Sequence, residues 1–150
     1  MIEAYVSWSI YVRTPQHRKL VEVHIPPIAA ALEQLEFVWQ IIFESEYPGL
    51  FRLVNYQNLE FSSVDEIVST VLRRAYKLAD GWRISGLGDL TTKQIRHVAG
   101  VWNLHKAVST LPALESMIFE VEPGRISGRT ADGHGWQIAG RSDTKYYVGD

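Results

Sequence analysis

Apolar and polar side chains alternate along the first segment of the chain. Residues 4–13 follow the period of two that is typical of a β-strand with one buried face. Turn-forming residues 14–18 come next, and residues 19–25 alternate again. The pattern predicts an N-terminal β-hairpin whose second strand stops at Pro26-Pro27, because proline cannot donate to a strand ladder.

Three later segments have the three- and four-residue apolar spacing of amphipathic helices. The first runs from Ile28 to about Glu46. The second covers residues 64–78 and opens with a capping box at residues 63–66. The third begins near Thr91 and has Trp102 on its apolar face. The sequence therefore predicts about three helices.

The remaining segments have the composition or the alternation of short strands. Two of them lie between the helices, at residues 50–56 and 82–85. The last third of the chain alternates between turns, at residues 117–121, 125–130, 135–139 and 145–148. Because most strands neighbour one another in sequence, we expect an α+β fold in one domain, residues 1–150. It would combine the N-terminal hairpin, helices packed on a mainly antiparallel sheet and a C-terminal meander.

Composition and charge exclude few classes of protein. Apolar residues make up 46% of the chain and charged residues 21%, with a net charge of −2, so no global charge favours nucleic acid or an anionic membrane. The absence of cysteine excludes disulfides and thiolate metal sites. The N-terminus lacks the pattern of a secretory signal, and the apolar stretch 25–32 is too short to cross a bilayer. We expect a cytoplasmic protein without a cofactor or metal.

The candidate site is an acidic face on the first predicted helix. Between Leu20 and Phe51 there are five acids and neither lysine nor arginine. Helical spacing brings the candidate contact residues together: Glu33, Glu36, Phe37, Gln40 and Glu44. One interpretation is a docking face for a protein partner with a basic surface. The alternative is a solvated helix whose acids pair with arginine or lysine from elsewhere in the fold.

A basic segment, residues 73–106, has the opposite balance of charge. Its seven bases are Arg73, Arg74, Lys77, Arg83, Lys93, Arg96 and Lys106. They would suit a nucleic-acid binder. However, the first three lie near a helix C-terminus, where cations are favoured in any case, and no nucleic-acid-binding motif accompanies them. We therefore expect a structural role, or pairing with the acidic first helix.

Histidine provides the alternative of a small enzyme. His134 could form an acid–base pair with Glu120 or Glu122 across the meander. His97 and His105 lie eight residues apart, but spacing alone does not assemble the three or four ligands of a metal site. No serine elbow, cysteine nucleophile or His-Glu helix motif supports catalysis. Surface histidines without a special role are the simpler interpretation.

In general character the chain resembles the small cytosolic immunity proteins that bacteria use against delivered toxins. It is short, free of cysteine, rich in tryptophan and α+β, with one acidic face. No residue motif carries this resemblance, so it assigns no functional residue. The sequence predicts a non-catalytic protein-binding domain that inhibits a partner toxin, and the wide apolar surface of the first helix also permits a homodimer.

Overall fold

Two antiparallel sheets form the framework of the protein. The computed structural model describes residues 1–33, 40–43, 47–90, 95–104, 109, 111, 113–129, 135–140 and 144–146. The large sheet has the order β2-β3-β1-β6-β5-β4. Its strands in chain order are β1 (Ile2–Arg13), β2 (Gln40–Phe43), β3 (Leu50–Phe61), β4 (Arg83–Ser85), β5 (Val98–Asn103) and β6 (Leu114–Pro123). The small sheet consists of β7 (Ile126–Arg129), β8 (Gly135–Ile138) and β9 (Thr144–Tyr146).

The α+β fold and the mainly antiparallel sheet are confirmed. The strands predicted at residues 50–56 and 82–85 are also confirmed. The first lies within β3, and the second overlaps β4. The predicted meander divides between the two sheets. Strand β6 pairs with β1 and β5 in the large sheet, whereas β7, β8 and β9 pair with one another.

The predicted N-terminal hairpin is wrong, because residues 17–31 are helical without a break. This first helical segment consists of α1 (His17–Lys19), a π-helical stretch (Leu20–His24) and α2 (Ile25–Ala31). Burial follows the helix rather than the alternation, since Leu20 and Ile25 are buried and Val23 is exposed. Alternation over seven residues is too short to compete with the packing of a helical face on the sheet.

The helix predicted from Ile28 to Glu46 is also wrong. Helix α2 ends at Ala31, and Gln40–Phe43 form β2, which pairs with β3. Glu33 adopts the left-handed conformation, with φ of +57°, which interrupts the helix. Ile41 and Phe43, whose positions also fit a helical stripe, instead pair with Leu53 and Phe51 across the ladder.

The second predicted helix is confirmed as α3 (Val64–Leu78). The hydroxyl of Ser63 accepts the backbone N–H of Glu66 at 3.2 Å, which caps the helix. The Glu66 carboxylate completes a variant of the predicted box, because it accepts the hydroxyl of Ser62 at 3.0 Å. Five side chains of its apolar stripe are fully buried: Val64, Ile67, Val71, Ala75 and Leu78.

The third predicted helix is wrong: the described residues contain two long helical segments and one short 3-10 turn, Leu87–Asp89. Residues 98–103 form β5, between β4 and β6, while residues 91–94 lie outside the described part of the chain. Val98, Gly100 and Trp102 point to the buried face. Gly100 faces Phe119, whose ring fills the space that a side chain would need. A strand accommodates this close approach, whereas glycine would weaken a helix.

The large sheet is covered on both faces at β1 and β3. Its helix-side core includes Val6, Trp8, Ile10 and Phe119, packed beneath α2 and α3. On the other face the small sheet forms a second cluster, of Tyr5, Val54, Tyr56, Ile126, Trp136 and Ile138. Asn58 joins the small sheet to β3, because its side chain donates to the carbonyl of Ile126 at 2.9 Å and accepts the amide of Ile126 at 2.8 Å.

Neither helical segment within the described ranges combines the length and the hydropathy that a bilayer-spanning helix requires.

Replacing Gly100 with alanine is expected to destabilise the protein by about 1–3 kcal/mol, because a methyl group there would overlap the Phe119 ring. Urea unfolding followed by tryptophan fluorescence measures the change. Gly88→Ala is the matched control, since a Cβ atom at Gly88 meets no neighbour within 4 Å. Equal unfolding free energies for the two variants would contradict the packing described here.

Candidate functional site

Two residues of the predicted acidic face, Glu33 and Gln40, lie in the described part of the chain, and they do not belong to one helix. Glu33 follows the end of α2, whereas Gln40 is the first residue of strand β2. The two therefore share no helical face. Glu36, Phe37 and Glu44 lie outside the described residues, so their role as contacts stays a prediction.

Glu33 is instead the centre of an ion-pair cluster within the chain. The guanidinium of Arg73 donates to both carboxylate oxygens, at 2.9 and 2.8 Å, and Lys77 Nζ lies 3.2 Å from Oε1. A third cation, Arg74, lies 3.5 Å from Oε2. The hydrogen bond from Arg73, with further contributions from Lys77 and Arg74, lowers the pKa of Glu33 to about 2 from its ordinary value of 4.5. Three cations of this chain thus surround Glu33, the one acid of the predicted acidic face that the structure describes.

A polar network extends from this cluster into the core. Arg74, whose side chain is only 14% exposed, donates to Gln57 Oε1 at 3.1 Å. The same oxygen accepts the indole N–H of Trp8 at 2.9 Å, and the Gln57 amide donates to the carbonyl of Leu32 at 3.0 Å. Burial lowers the pKa of Arg74, and the nearby Glu33 carboxylate opposes that effect. The network connects both helical segments to β1 and β3.

The predicted pairing of the basic segment with acids of the first segment is found at Glu33. Arg73, Arg74 and Lys77 all face this carboxylate, which removes three of the seven bases from a nucleic-acid surface. Lys93 and Lys106 lie outside the described residues. A basic partner would have to compete with cations of the same chain for Glu33.

A second cluster of ionisable groups lies on the sheet face opposite the helices. Glu120 and Glu122 are alternate residues of β6 and therefore project from the same face. Val98 pairs with Val121, so His97, one residue earlier, lies beside Glu122. The Nε2 atom of His97 is 3.8 Å from Oε1 of Glu120, and the hydroxyl of Tyr5 donates to Glu122. One side-chain nitrogen or oxygen of each of the three residues lies within 4.8 Å of the other two.

This cluster contains both carboxylates that the sequence suggested for acid–base chemistry, but with a different histidine. His134 lies outside the described residues, so its pairing with Glu120 or Glu122 stays a prediction. His97 was not connected with these glutamates because its surroundings were interpreted as a helix. The Glu-x-Glu spacing was visible, but the register between β5 and β6 was needed to place His97 beside it.

Two depressions of the described surface are small and open. One, of about 160 Å³, is lined by Glu3, Ala4, Asn58, Leu59, Glu60 and Arg125. The other, of about 130 Å³, is lined by Gly81, Arg83, Val101 and Asn103. Both are smaller than the 300–1,000 Å³ typical of small-molecule sites, and neither includes the glutamates of the second cluster. These depressions do not favour the small-enzyme alternative.

Comparison with protein-family models, with curated proteins and with solved structures finds no match to this chain.

Replacing Glu33 with glutamine is expected to lower the free energy of unfolding by about 1 kcal/mol at pH 7, the upper range for a partly exposed ion pair. The pKa of Glu33 is lowered in the folded protein, so its carboxylate stabilises the fold above pH 4.5. That contribution is lost as the pH falls towards 2. Urea unfolding at pH 7 and pH 3 should therefore show a smaller difference between variant and wild type at pH 3.

Glu22→Gln is the matched control, because among the described residues Glu22 forms an ion pair with Arg18 alone, on an exposed helical surface. It should change stability by less than about 0.5 kcal/mol. A Glu33→Gln effect that is no larger than this, or that is the same at both pH values, would show that the cluster does not stabilise the fold.

Proposed function

We propose that this chain is a non-catalytic protein-binding domain whose contact surface is the uncharged outer face of the first helical segment. That surface, the apolar helix face, is formed by Val21, Val23, Pro26 and Ala30. The partner is a second protein with a complementary apolar patch. We propose this surface in place of the predicted acidic face, because Glu33, the acid of that face that the structure describes, already pairs with cations of the chain.

The observation that carries the proposal is the absence of charge where a solvated helix normally has it. Residues 23–32 contain no lysine, arginine, aspartate or glutamate. The inner side of the segment is buried through Leu20, Ile25 and Ile28, as packing on a sheet requires. The outer side should then be polar, yet Val21 is 44% and Val23 51% exposed. Contiguous apolar side chains on an exposed surface commonly mark a place where another molecule binds.

Helix α3 provides an internal comparison, because it packs on the same face of the sheet. Its exposed positions are mostly charged or polar: Asp65, Glu66, Ser69, Arg73, Tyr76 and Lys77. Two helices of one protein, in equivalent surroundings, therefore differ in their outer faces. Core packing does not account for this difference, whereas a contact surface on the first segment does.

The apolar helix face is also held rigidly and bordered by charge. Pro26 and Pro27 fix two backbone φ angles within the segment, so the chain loses less conformational entropy when a partner binds. The Arg18–Glu22 ion pair lies beside Val21 and Val23, and the Glu33 cluster lies at the other end of the segment. An apolar centre with a polar rim is typical of protein–protein interfaces.

A lipid surface is a less suitable occupant for this face. Helices that lie in a membrane interface combine their apolar side with lysines and arginines on the polar side. In the first helical segment such residues occur only at its start, as Arg18 and Lys19; none follows between Leu20 and Phe51, and the net charge of the chain is −2. The uncharged composition of the apolar helix face favours a protein over a membrane as its binding partner.

Adding two negative charges to the apolar helix face should abolish binding while leaving the fold intact. We expect Val23→Glu combined with Ala30→Glu to weaken the complex at least tenfold, because burying an unpaired carboxylate in an interface is costly. The partner would be identified by crosslinking the tagged chain in its own host. Calorimetry with the purified partner would then measure the affinity.

The matched control adds the same charge to α3, as Ser69→Glu combined with Tyr76→Glu, both at exposed positions. This control should bind as the wild type does, and both double variants should keep the wild-type circular dichroism. Equal affinities for the two double variants would refute the proposed surface. Sedimentation equilibrium of the free chain distinguishes a second copy, which would make the surface a homodimer interface instead.

More specifically, we propose that the chain is an inhibitor that binds and blocks a toxin, as the general resemblance to immunity proteins implies. In that form the partner is encoded beside this chain, and co-expression should relieve its toxicity. The Val23→Glu, Ala30→Glu variant would then fail to protect, whereas the α3 control would protect fully.

A further inference from the structure

The cluster of His97, Glu120 and Glu122 lies on the opposite side of the large sheet from the apolar helix face. We propose that these three side chains bind one divalent transition-metal ion, of the class of Zn²⁺ or Mn²⁺. This proposal does not rest on the protein-binding function, because the two surfaces share no residue.

The donor set determines the class of metal. It offers one imidazole nitrogen and two carboxylate oxygens, and zinc binds both kinds of donor at about 2.0–2.2 Å. Calcium and magnesium prefer sites made entirely of oxygen, so the imidazole argues against them. Copper(I) prefers thiolate and thioether ligands, and the chain has no cysteine.

The geometry is close to that of a bound ion without backbone movement. Two ligands of a tetrahedral zinc ion lie about 3.3 Å apart, given bonds of about 2.0–2.1 Å. His97 Nε2 and Glu120 Oε1 are 3.8 Å apart, and all three donor atoms lie within 4.8 Å of one another. The glutamates would therefore have to bring their oxygens closer by at most about 1.5 Å (4.8 less 3.3 Å) to reach these ligand separations. The β5–β6 ladder fixes the backbone positions from which the side chains extend.

Tyr5 acts as a positioning residue for this site. It is fully buried beneath the small sheet, and its hydroxyl donates to the Glu122 carboxylate. Carboxylates that bind metals are commonly oriented by such a second hydrogen bond. The buried tyrosine therefore holds one ligand in place from the protein side.

The outer side of the cluster is open to solvent. The side chain of His97 is 53% exposed, so an ion can enter without rearrangement of the sheet. Three protein ligands leave one position of a four-coordinate ion for water. The site is thus suited to an exchangeable ion with a water ligand.

Titration of the full chain with ZnCl₂ and with MnCl₂ by isothermal calorimetry tests the proposal. We expect one ion per chain for at least one of the two metals. His97→Gln and Glu122→Gln should each weaken binding at least tenfold, since each removes a ligand. Tyr5→Phe keeps the aromatic ring in the core and should weaken binding by a smaller factor, which identifies a positioning role.

His17→Gln and Glu60→Gln are the matched controls, because both residues are exposed and lie outside the cluster. They should bind the metal with wild-type affinity. Circular dichroism would verify that each variant folds. If Glu122→Gln does not fold, the His97→Gln variant decides the test, because the His97 side chain is exposed. Failure of the wild type to bind either metal, or wild-type affinity in His97→Gln, would show that the cluster is an ion pair and no more.

The same measurement separates this proposal from the protein-binding one. His97→Gln should retain the protein partner, and Val23→Glu with Ala30→Glu should retain the metal. Loss of metal binding in the helix variant would contradict the independence of the two sites.

Discussion

Burial of strand β1 on both faces is the constraint on which the rest of the structure depends. It pairs along its length with β3 on one side and over most of it with β6 on the other, and its residues 4–10 are all buried. Antiparallel sheets commonly leave one face to solvent, so the burial of β1 on both faces requires two separate covering layers. The helical segments supply it on one side, over Val6, Trp8 and Ile10, and the small sheet supplies it over Tyr5 on the other. Both proposed sites follow from these two layers, because each lies on the outer surface of one of them or at its border.

The polar network around Gln57 connects this central strand to the apolar helix face. Trp8 of β1 and Arg74 of α3 donate to the same Gln57 oxygen, and the Gln57 amide holds the carbonyl at Leu32, where the first helical segment ends. Each of these groups has little exposure to water, so an unpaired one would be costly. Glu33 offsets the charge of the buried Arg74 from outside. The network fixes the end of the helical segment relative to the core, and a surface held in this way can bind with little loss of entropy.

What could be predicted from the sequence was local. Helix α3 was identified because Ser63, Glu66 and the apolar stripe all lie within one segment and agree with one another. The first helical segment was missed because alternation over residues 19–25 fits a strand, and only the packing of Leu20 and Ile25 on a distant sheet decides otherwise. Strand β5 was missed for the same reason, since Gly100 is explained by Phe119, a residue from another strand. The two charge clusters depend on pairings as distant as Glu33 with Arg73, 40 residues later, so their members could be named but not assembled.

We propose that a partner covers the outer face of the first helical segment, and the absence of cysteine allows this contact to be measured directly. A single cysteine introduced at Val23 and labelled with a photoactivatable crosslinker reports what lies against that position. Ser69→Cys on α3 serves as the reference in the same mixture. The proposed contact predicts a crosslink to the partner from position 23 and none from position 69. A partner that crosslinks from position 69 but not from position 23 would contradict it.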